Sequence, residues 1–267
     1  MAVAPLRLAV EAMACRWEVV VQAAEPRLAR AAGEAAVAEI QRVAALLSPF
    51  EPTSEVSGLN ARAGTGPVPV TRELALLLQR CGEWWAATGG CFDPTVGPLL
   101  RLWGLRGGER AVPTEAALRA VRERVGWGLV RVEPAAGTVE LTRPGMALDC
   151  GAVGKGYAAD RAAAALADEA LGVSSPRGRQ VSDGQRTWGH VIDPRRGAPV
   201  DGPCLAAVWT ESGAAADAWS TALLVDGEAL CAARPDLVVV VAWPDRVRRQ
   251  GRWSDAPTGG VSEGLHG

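Results

Sequence analysis

Histidine is almost missing from this chain: His190 and His266 are the only two in 267 positions. The six cysteines (residues 15, 81, 91, 150, 204 and 231) are scattered, with no Cys-x-x-Cys pair. A Cys/His zinc site is therefore not expected, and reduced thiols in a cytoplasmic setting fit the pattern best. No stretch approaches the roughly 18 consecutive apolar residues of a membrane span. The apolar N-terminal run is broken by Arg7 and Glu11, so it lacks the uninterrupted core of a signal peptide. A basic excess is also lacking. The formal net charge is −2, which argues against a nucleic-acid footprint. The one basic cluster, Arg246, Arg248, Arg249 and Arg252, is short and reads as part of a solvated tail.

What is present is ordinary for a globular protein, with 48% hydrophobic and 22% charged residues. The length suits one large domain or two intimate subdomains; we expect one unit over residues 1–245 and a C-terminal tail over 246–267. Residues 15–23 read as a strand. Residues 26–47 carry apolar positions at helical spacing, with Pro26 in the first turn. A polar, turn-rich loop follows to about residue 70, then a helix from Thr71, a good N-cap, to about Ala87. Residues 91–104 hold too much Pro and Gly for a regular element. A third helix is expected over 113–126, strands over 128–133 and 137–142, and a helix from the mid-150s to about Leu171. A strand around 188–192, a helix over 214–226 and a β-branched strand over 237–243 complete the pattern. Helices and strands mix without strict alternation, which predicts an α+β fold.

The densest chemistry lies in residues 149–161, Asp-Cys-Gly-Ala-Val-Gly-Lys-Gly-Tyr-Ala-Ala-Asp-Arg. Three glycines surround Lys155 at the head of a helix, where free backbone N–H groups, the helix dipole and an ammonium favour phosphate. The glycine order matches neither a Walker A loop nor a dinucleotide fingerprint. Close helix packing explains the glycines equally well when they are taken alone. Asp217 and Thr221 are spaced i, i+4, so their oxygens share one helix face and are the hard ligands magnesium takes. A dipole-complementing acid and a back-bonded threonine are the plainer account of that pair. His190 opens a short apolar strand, and Asp193-Pro194 closes it. The phrase Gly90-Cys91-Phe92-Asp93-Pro94-Thr95 combines an aromatic, an acid and tight turns, either as pocket wall or as ordered connection.

Together and in this order the motifs resemble the ApbE family, the FAD:protein FMN transferases. The resemblance rests on several phrases: Met13-Ala14-Cys15, Ser48-Pro49-Phe50 through Leu59-Asn60, and Gly-x-Phe-Asp-Pro-Thr-Val-Gly-Pro-Leu with Leu-Trp-Gly over 90–104. It is carried further by Asp-x-Gly-Ala-x-x-Lys-Gly-Tyr-Ala-x-Asp at 149–160, His-x-Ile-Asp-Pro-Arg-x-Gly-x-Pro-Val at 190–200, and Ala-Asp-Ala-x-Ser-Thr-Ala-Leu at 216–223. It spans about residues 13–243.

The resemblance implies a T-fold-like α+β architecture and an FAD site using Met13, Phe50, Phe92, Asp93, Pro94, Asp149, Lys155 and Ile192. It implies Mg2+ held by the Ala152 carbonyl, Asp217 and Thr221. The implied activity attaches FMN to a threonine of an acceptor protein and releases AMP. His190 is the first choice as general base, with Asp217 second. FAD pyrophosphate hydrolysis at the same site, or flavin binding without turnover, are the alternatives. Two departures stand out. Met-Ala-Cys replaces a Met-Gly-Thr-like start, and several dozen residues that relatives carry after the helix ending near Leu171, including a Gly-Gly-Asp phrase, are missing. The expected fold is accordingly one short of some central strands.

Overall fold

The computed structural model describes residues 4–21, 25–107, 111–166, 181–182, 187–188, 191–200, 205–210, 212–243 and 245–251. Strands β1 (Leu6–Ala12) and β2 (Cys15–Val21) form an antiparallel hairpin joined by Met13 and Ala14. Both joining residues have positive φ (53° and 59°), the twist a two-residue hairpin turn demands. β1 was not anticipated; its alternation of half-buried and exposed residues is weak beside that of β2.

Helix α1 (Pro26–Leu47) buries Ala29, Gly33, Ala36, Ile40, Val43 and Leu47, one stripe at steps of three and four residues. The segment expected as a polar loop contains α2 (Glu55–Ala61), capped by Ser54, and β3 (Val68–Pro69). Helix α3 (Arg72–Ala87) starts at the expected Thr71 cap, whose side chain accepts from the Leu74 N–H. Within residues 91–104, positions 94–102 are regular after all. A 3-10 turn, Pro94–Val96, leads into α4 (Gly97–Leu102). Pro94 and Pro98 sit in first turns, where no intrahelical N–H is required, so they do not break these elements.

Then follow α5 (Glu115–Arg122), β4 (Val130–Glu133), β5 (Thr138–Leu141) and α6 (Gly154–Leu166). Short strands β6 (Val181–Ser182) and β7 (Thr187–Trp188) pair with each other, as do β8 (Ile192–Asp193) and β9 (Ala198–Pro199). Strand β10 (Leu205–Trp209), helix α7 (Gly213–Ala233), β11 (Val238–Ala242) and β12 (Val247–Gln250) complete the order. All pairings between these strands are antiparallel, in sheets ordered β1-β2, β3-β5-β4 and β10-β11-β12 besides the two short pairs. The fold is α+β, as expected.

Helix α7 runs further than the expected 214–226, and it is kinked at Asp226, whose φ and ψ are −146° and 60°. β12 lies within the stretch expected as a tail, and its pairing with β11 carries ordered structure to Gly251. There Arg246 and Arg248 both bond Glu228, so one carboxylate offsets part of the charge of the basic cluster. The main core is continuous from the β1-β2 hairpin through α1, α3, α6 and α7. Each fully buried Leu, Ile or Phe in it stabilises by about 1.5–3 kcal/mol. A smaller cluster of Leu99, Leu100, Trp103, Leu105 and Ile192 joins α4 to β8. Helix α6 packs against both α1 and α7, and that central placement builds the site.

Candidate active site

The segment leading to the glycine-lysine loop is fixed by side chains from elsewhere. Asn60, on α2, pairs with the Leu148 backbone in both directions: its Nδ2 donates to the Leu148 carbonyl (3.0 Å), and its Oδ1 accepts from the Leu148 N–H (2.7 Å). The next N–H, of Asp149, donates to the Pro94 carbonyl at 2.8 Å. The Ser-x-aromatic and Phe-Asp-Pro phrases thus hold the loop from two sides. The Gly154 and Val153 N–H groups then converge on the Cys150 carbonyl (2.7 and 3.1 Å), turning the chain into α6.

Gly156 is where α6 meets α7. A Cβ there would lie 1.9 Å from the Gly213 carbonyl oxygen and 2.7 Å from the Ala214 nitrogen, so only a glycine permits this backbone crossing. Asp160 secures it. Its carboxylate accepts from the Gly213 (2.6 Å) and Ala214 (3.0 Å) N–H groups, while Ser212 accepts from Ala215 (3.1 Å). The orphan donors at the start of α7 are therefore satisfied from within the protein.

This crossing sets Lys155 beside Asp217. Lys155 Nζ lies 3.4 Å from Asp217 Oδ2 and donates to the Gly151 carbonyl at 2.9 Å. Both side chains are 18% exposed. The Gly156 N–H, whose helical acceptor would be the Ala152 carbonyl, donates instead to Asp217 Oδ2 at 3.2 Å. Thr221 follows one turn along α7 and is half-buried. One carboxylate, one hydroxyl and one carbonyl are hard oxygen donors, so the set fits Mg2+. Among the described residues no group of three or more His, Cys, Asp or Glu side chains gathers as a metal site. An ion here would thus depend on phosphate and water to complete its shell.

Asp149 is 6% exposed and does not stand alone. Arg106 forks onto it, Nε to Oδ2 at 2.6 Å and Nη2 to Oδ1 at 3.2 Å, and the Gly151 N–H donates to the same Oδ1 at 2.9 Å. Burial opposes the charge on Arg106, but the hydrogen bonds and charge of Asp149 raise its pKa on balance. Arg106 was not singled out from the sequence, because a single arginine in a glycine-rich turn carries no spacing signal. Asn60 and Asp160 stood inside the motif phrases without a role.

The other expected residues divide. Met13 reaches the loop: its sulfur would lie 3.9 Å from a Cβ at Gly154. The neighbouring Cys15 thiol is half-buried, and burial raises its pKa while Lys155 opposes the rise. Phe50 is 60% exposed. The Phe92 ring is buried edge-on against Trp84, with ring centres 6.2 Å apart. Asp93 caps the following 3-10 turn by accepting from the Thr95 N–H (2.8 Å) and Oγ1 (2.6 Å); burial raises its pKa and these bonds counter it. The side chains of Phe92 and Asp93 are thus committed to the interior. Ile192 lies in the small cluster beside Leu105. His190 lies outside the described residues.

The family model described as the ApbE family matches residues 13–175 and 164–239. The FAD:protein FMN transferase of Klebsiella pneumoniae (strain 342) is 29% identical over 240 residues, covering 73% of this chain and 75% of that protein. The protein of the same name from Treponema pallidum is 35% identical over 137 residues, 49% of this chain and 38% of its own length. Among solved structures, the ApbE protein of Thermotoga maritima superposes with a TM-score of 0.84 at 23% identity, covering 92% of this chain and 97% of that one. The flavin transferase ApbE of Vibrio cholerae gives 0.79 at 20% identity, covering 93% and 97%. This chain belongs to the ApbE family, and with it to the transferases. The structural likenesses establish the shared fold. Nearly all of the Thermotoga chain is covered by the superposition. The junction where the sequence reads as shortened, residues 167–180, lies outside the described residues.

Proposed function

We propose that this protein is a magnesium-dependent FAD:protein FMN transferase that joins FMN to a threonine of an acceptor protein and releases AMP. The observation that carries this reading is the placement of Lys155 and Asp217 3.4 Å apart at a glycine-built helix crossing, with Ala152 and Thr221 on the flanking turns. The names of the curated relatives supply the substrate class, and the motif order supports it.

In this reading Lys155 binds the pyrophosphate of FAD as a point charge held close to Gly151. Ala152, Asp217 and Thr221 would hold Mg2+, which supplies a charge clamp on the two phosphates as the anhydride is cleaved. Met13 lies over the start of α6 and would border the bound dinucleotide. The acceptor threonine oxygen forms a bond to the FMN phosphorus, the bond from that phosphorus to the bridging oxygen breaks, and AMP leaves. His190 takes the threonine proton, in keeping with an imidazole that titrates near neutral pH.

The test is incubation with FAD and Mg2+, with and without a peptide bearing an acceptor threonine, followed by chromatography for AMP and flavin-labelled peptide. AMP with labelled peptide is the expected result. AMP with free FMN in both arms would replace transfer by hydrolysis, and bound FAD without AMP would leave a binding protein.

A further inference from the structure

Lys155 is not the only cation fixed on Gly151. A Cβ added to Gly151 would meet Arg106 Nη2 at 2.7 Å, so the guanidinium lies directly over this residue's backbone, while Lys155 grips its carbonyl at 2.9 Å. Gly151 itself is exposed, and Arg106 keeps 24% of its side chain accessible. The two cations therefore flank one exposed turn of the loop.

Asp149 uses both carboxylate oxygens on Arg106 and on the Gly151 N–H, and it is buried beneath them. What it presents outward is Arg106. A guanidinium carries five N–H donors, and the fork to Asp149 uses two of them. The Nη1 group makes no hydrogen bond among the described residues. A carboxylate that holds one edge of an arginine leaves the opposite edge oriented for an acceptor, the geometry suited to planar recognition of phosphate. The pair thus replaces an acceptor at position 149 with a preorganised donor.

We propose that Arg106 is a second phosphate-binding residue of this site, contacting the pyrophosphate of the dinucleotide together with Lys155 and oriented by Asp149. The inference rests on the reading of the site as an FAD site and adds a ligand contact to it.

The test compares binding of ADP and adenosine, two probes differing in the diphosphate, by titration calorimetry on the whole chain. In Arg106→Gln the ratio of ADP to adenosine affinity should fall about 10- to 100-fold, the value of a charge-assisted hydrogen bond. Arg106→Gln leaves the Asp149 carboxylate buried without its partner, which endangers folding. The double variant Arg106→Gln/Asp149→Asn removes that charge and should show the same fall in the ratio. An unchanged ratio in the folded variants, or equal losses for both probes, would overturn the inference and leave Arg106 as a brace for Asp149. Wild-type protein that binds neither FAD nor ADP would instead remove the underlying reading, a result separable from the first because no variant is needed to see it.

Discussion

Lys155 Nζ stands 3.4 Å from Asp217 Oδ2 although 62 positions separate them in the chain. Two helix starts make the contact by crossing at Gly156 and Gly213. In the site we propose, the ammonium would hold a diphosphate directly and the carboxylate would hold it through a divalent cation.

Replacing Asp217 by Ala should abolish metal-dependent AMP release, with a loss of at least about a hundredfold in kcat, the scale of removing one electrostatic stabiliser of a transition state. Folding should survive, because the Asp160 and Ser212 side chains, not Asp217, cap α7. AMP release by the variant at the wild-type rate would show that the metal is held elsewhere.

Lys155→Ala should weaken FAD binding by about 1.5–3 kcal/mol, as expected for a lost charge-assisted contact. Its ion pair with Asp217 is partly solvated, so the melting free energy should change by less than about 1 kcal/mol. Fluorescence titration with FAD, set beside urea unfolding, separates the two. Equal losses in both would make Lys155 a structural residue.

The Lys155–Asp217 contact was legible because each residue sits in a local pattern, a glycine-rich helix entry or an i, i+4 pair, and the motif order then joined them. Helices with a full apolar stripe and a side-chain cap, such as α3, were equally legible. Less accessible were elements whose cause is positional. Pro94 and Pro98 look like breakers until they fall in first turns. Arg106 has no periodic partner at all, because its meaning comes from a carboxylate 43 residues away. The 92–94 phrase reads as an aromatic, an acid and a tight turn, and nothing in that pattern announces the tie that the Pro94 backbone carbonyl makes to the loop.

Gly156→Ala should be severe. The added methyl would meet backbone atoms of Gly213 and Ala214, which cannot rotate away, so one helix must move. A loss of about 3 kcal/mol or more is expected, outweighing the roughly 1 kcal/mol by which Ala favours a helix over Gly. Gly128→Ala, where the methyl meets nothing within 4 Å, is the control and should stay within about 0.5 kcal/mol. Chemical denaturation checks both, and a mild Gly156 variant would mean that the crossing is looser than described.

Ala14→Gly should stabilise. Ala14 holds φ 59° in the hairpin turn, a conformation that glycine adopts without the clash of a Cβ. A left-handed conformation costs a residue with a Cβ about 1–2 kcal/mol, and the greater unfolded-state freedom of glycine returns part of that. The net gain expected is about 0.5–1 kcal/mol, read as a higher urea midpoint at constant slope. A lower midpoint would show that the Ala14 methyl contributes packing that outweighs its strain.

Stability against pH should be shaped by Glu73. Its carboxylate accepts from Arg42 Nη1 and Nη2 (both 2.7 Å) and from the Tyr157 hydroxyl (2.8 Å). The Arg42 hydrogen bonds, against some burial, hold its pKa below the usual glutamate range, and Arg42 lowers Glu39 in the same way. A carboxyl whose pKa is lower when folded stabilises fully above the unfolded value, about 4.3, and loses that stabilisation as pH falls through the folded one. Tyr157 acts at the other end. Burial and the bond to Glu73 push its hydroxyl up to about 12, so its contribution is complete below its unfolded value of about 10 and declines above it. The urea midpoint should therefore plateau between about pH 5 and 9 and fall on both sides. Glu73→Gln should lower the plateau but flatten the acid limb, since the titrating group is gone. An acid limb as steep in Glu73→Gln as in the wild type would place the acid sensitivity on groups other than Glu73, the Arg42-bonded Glu39 first among them.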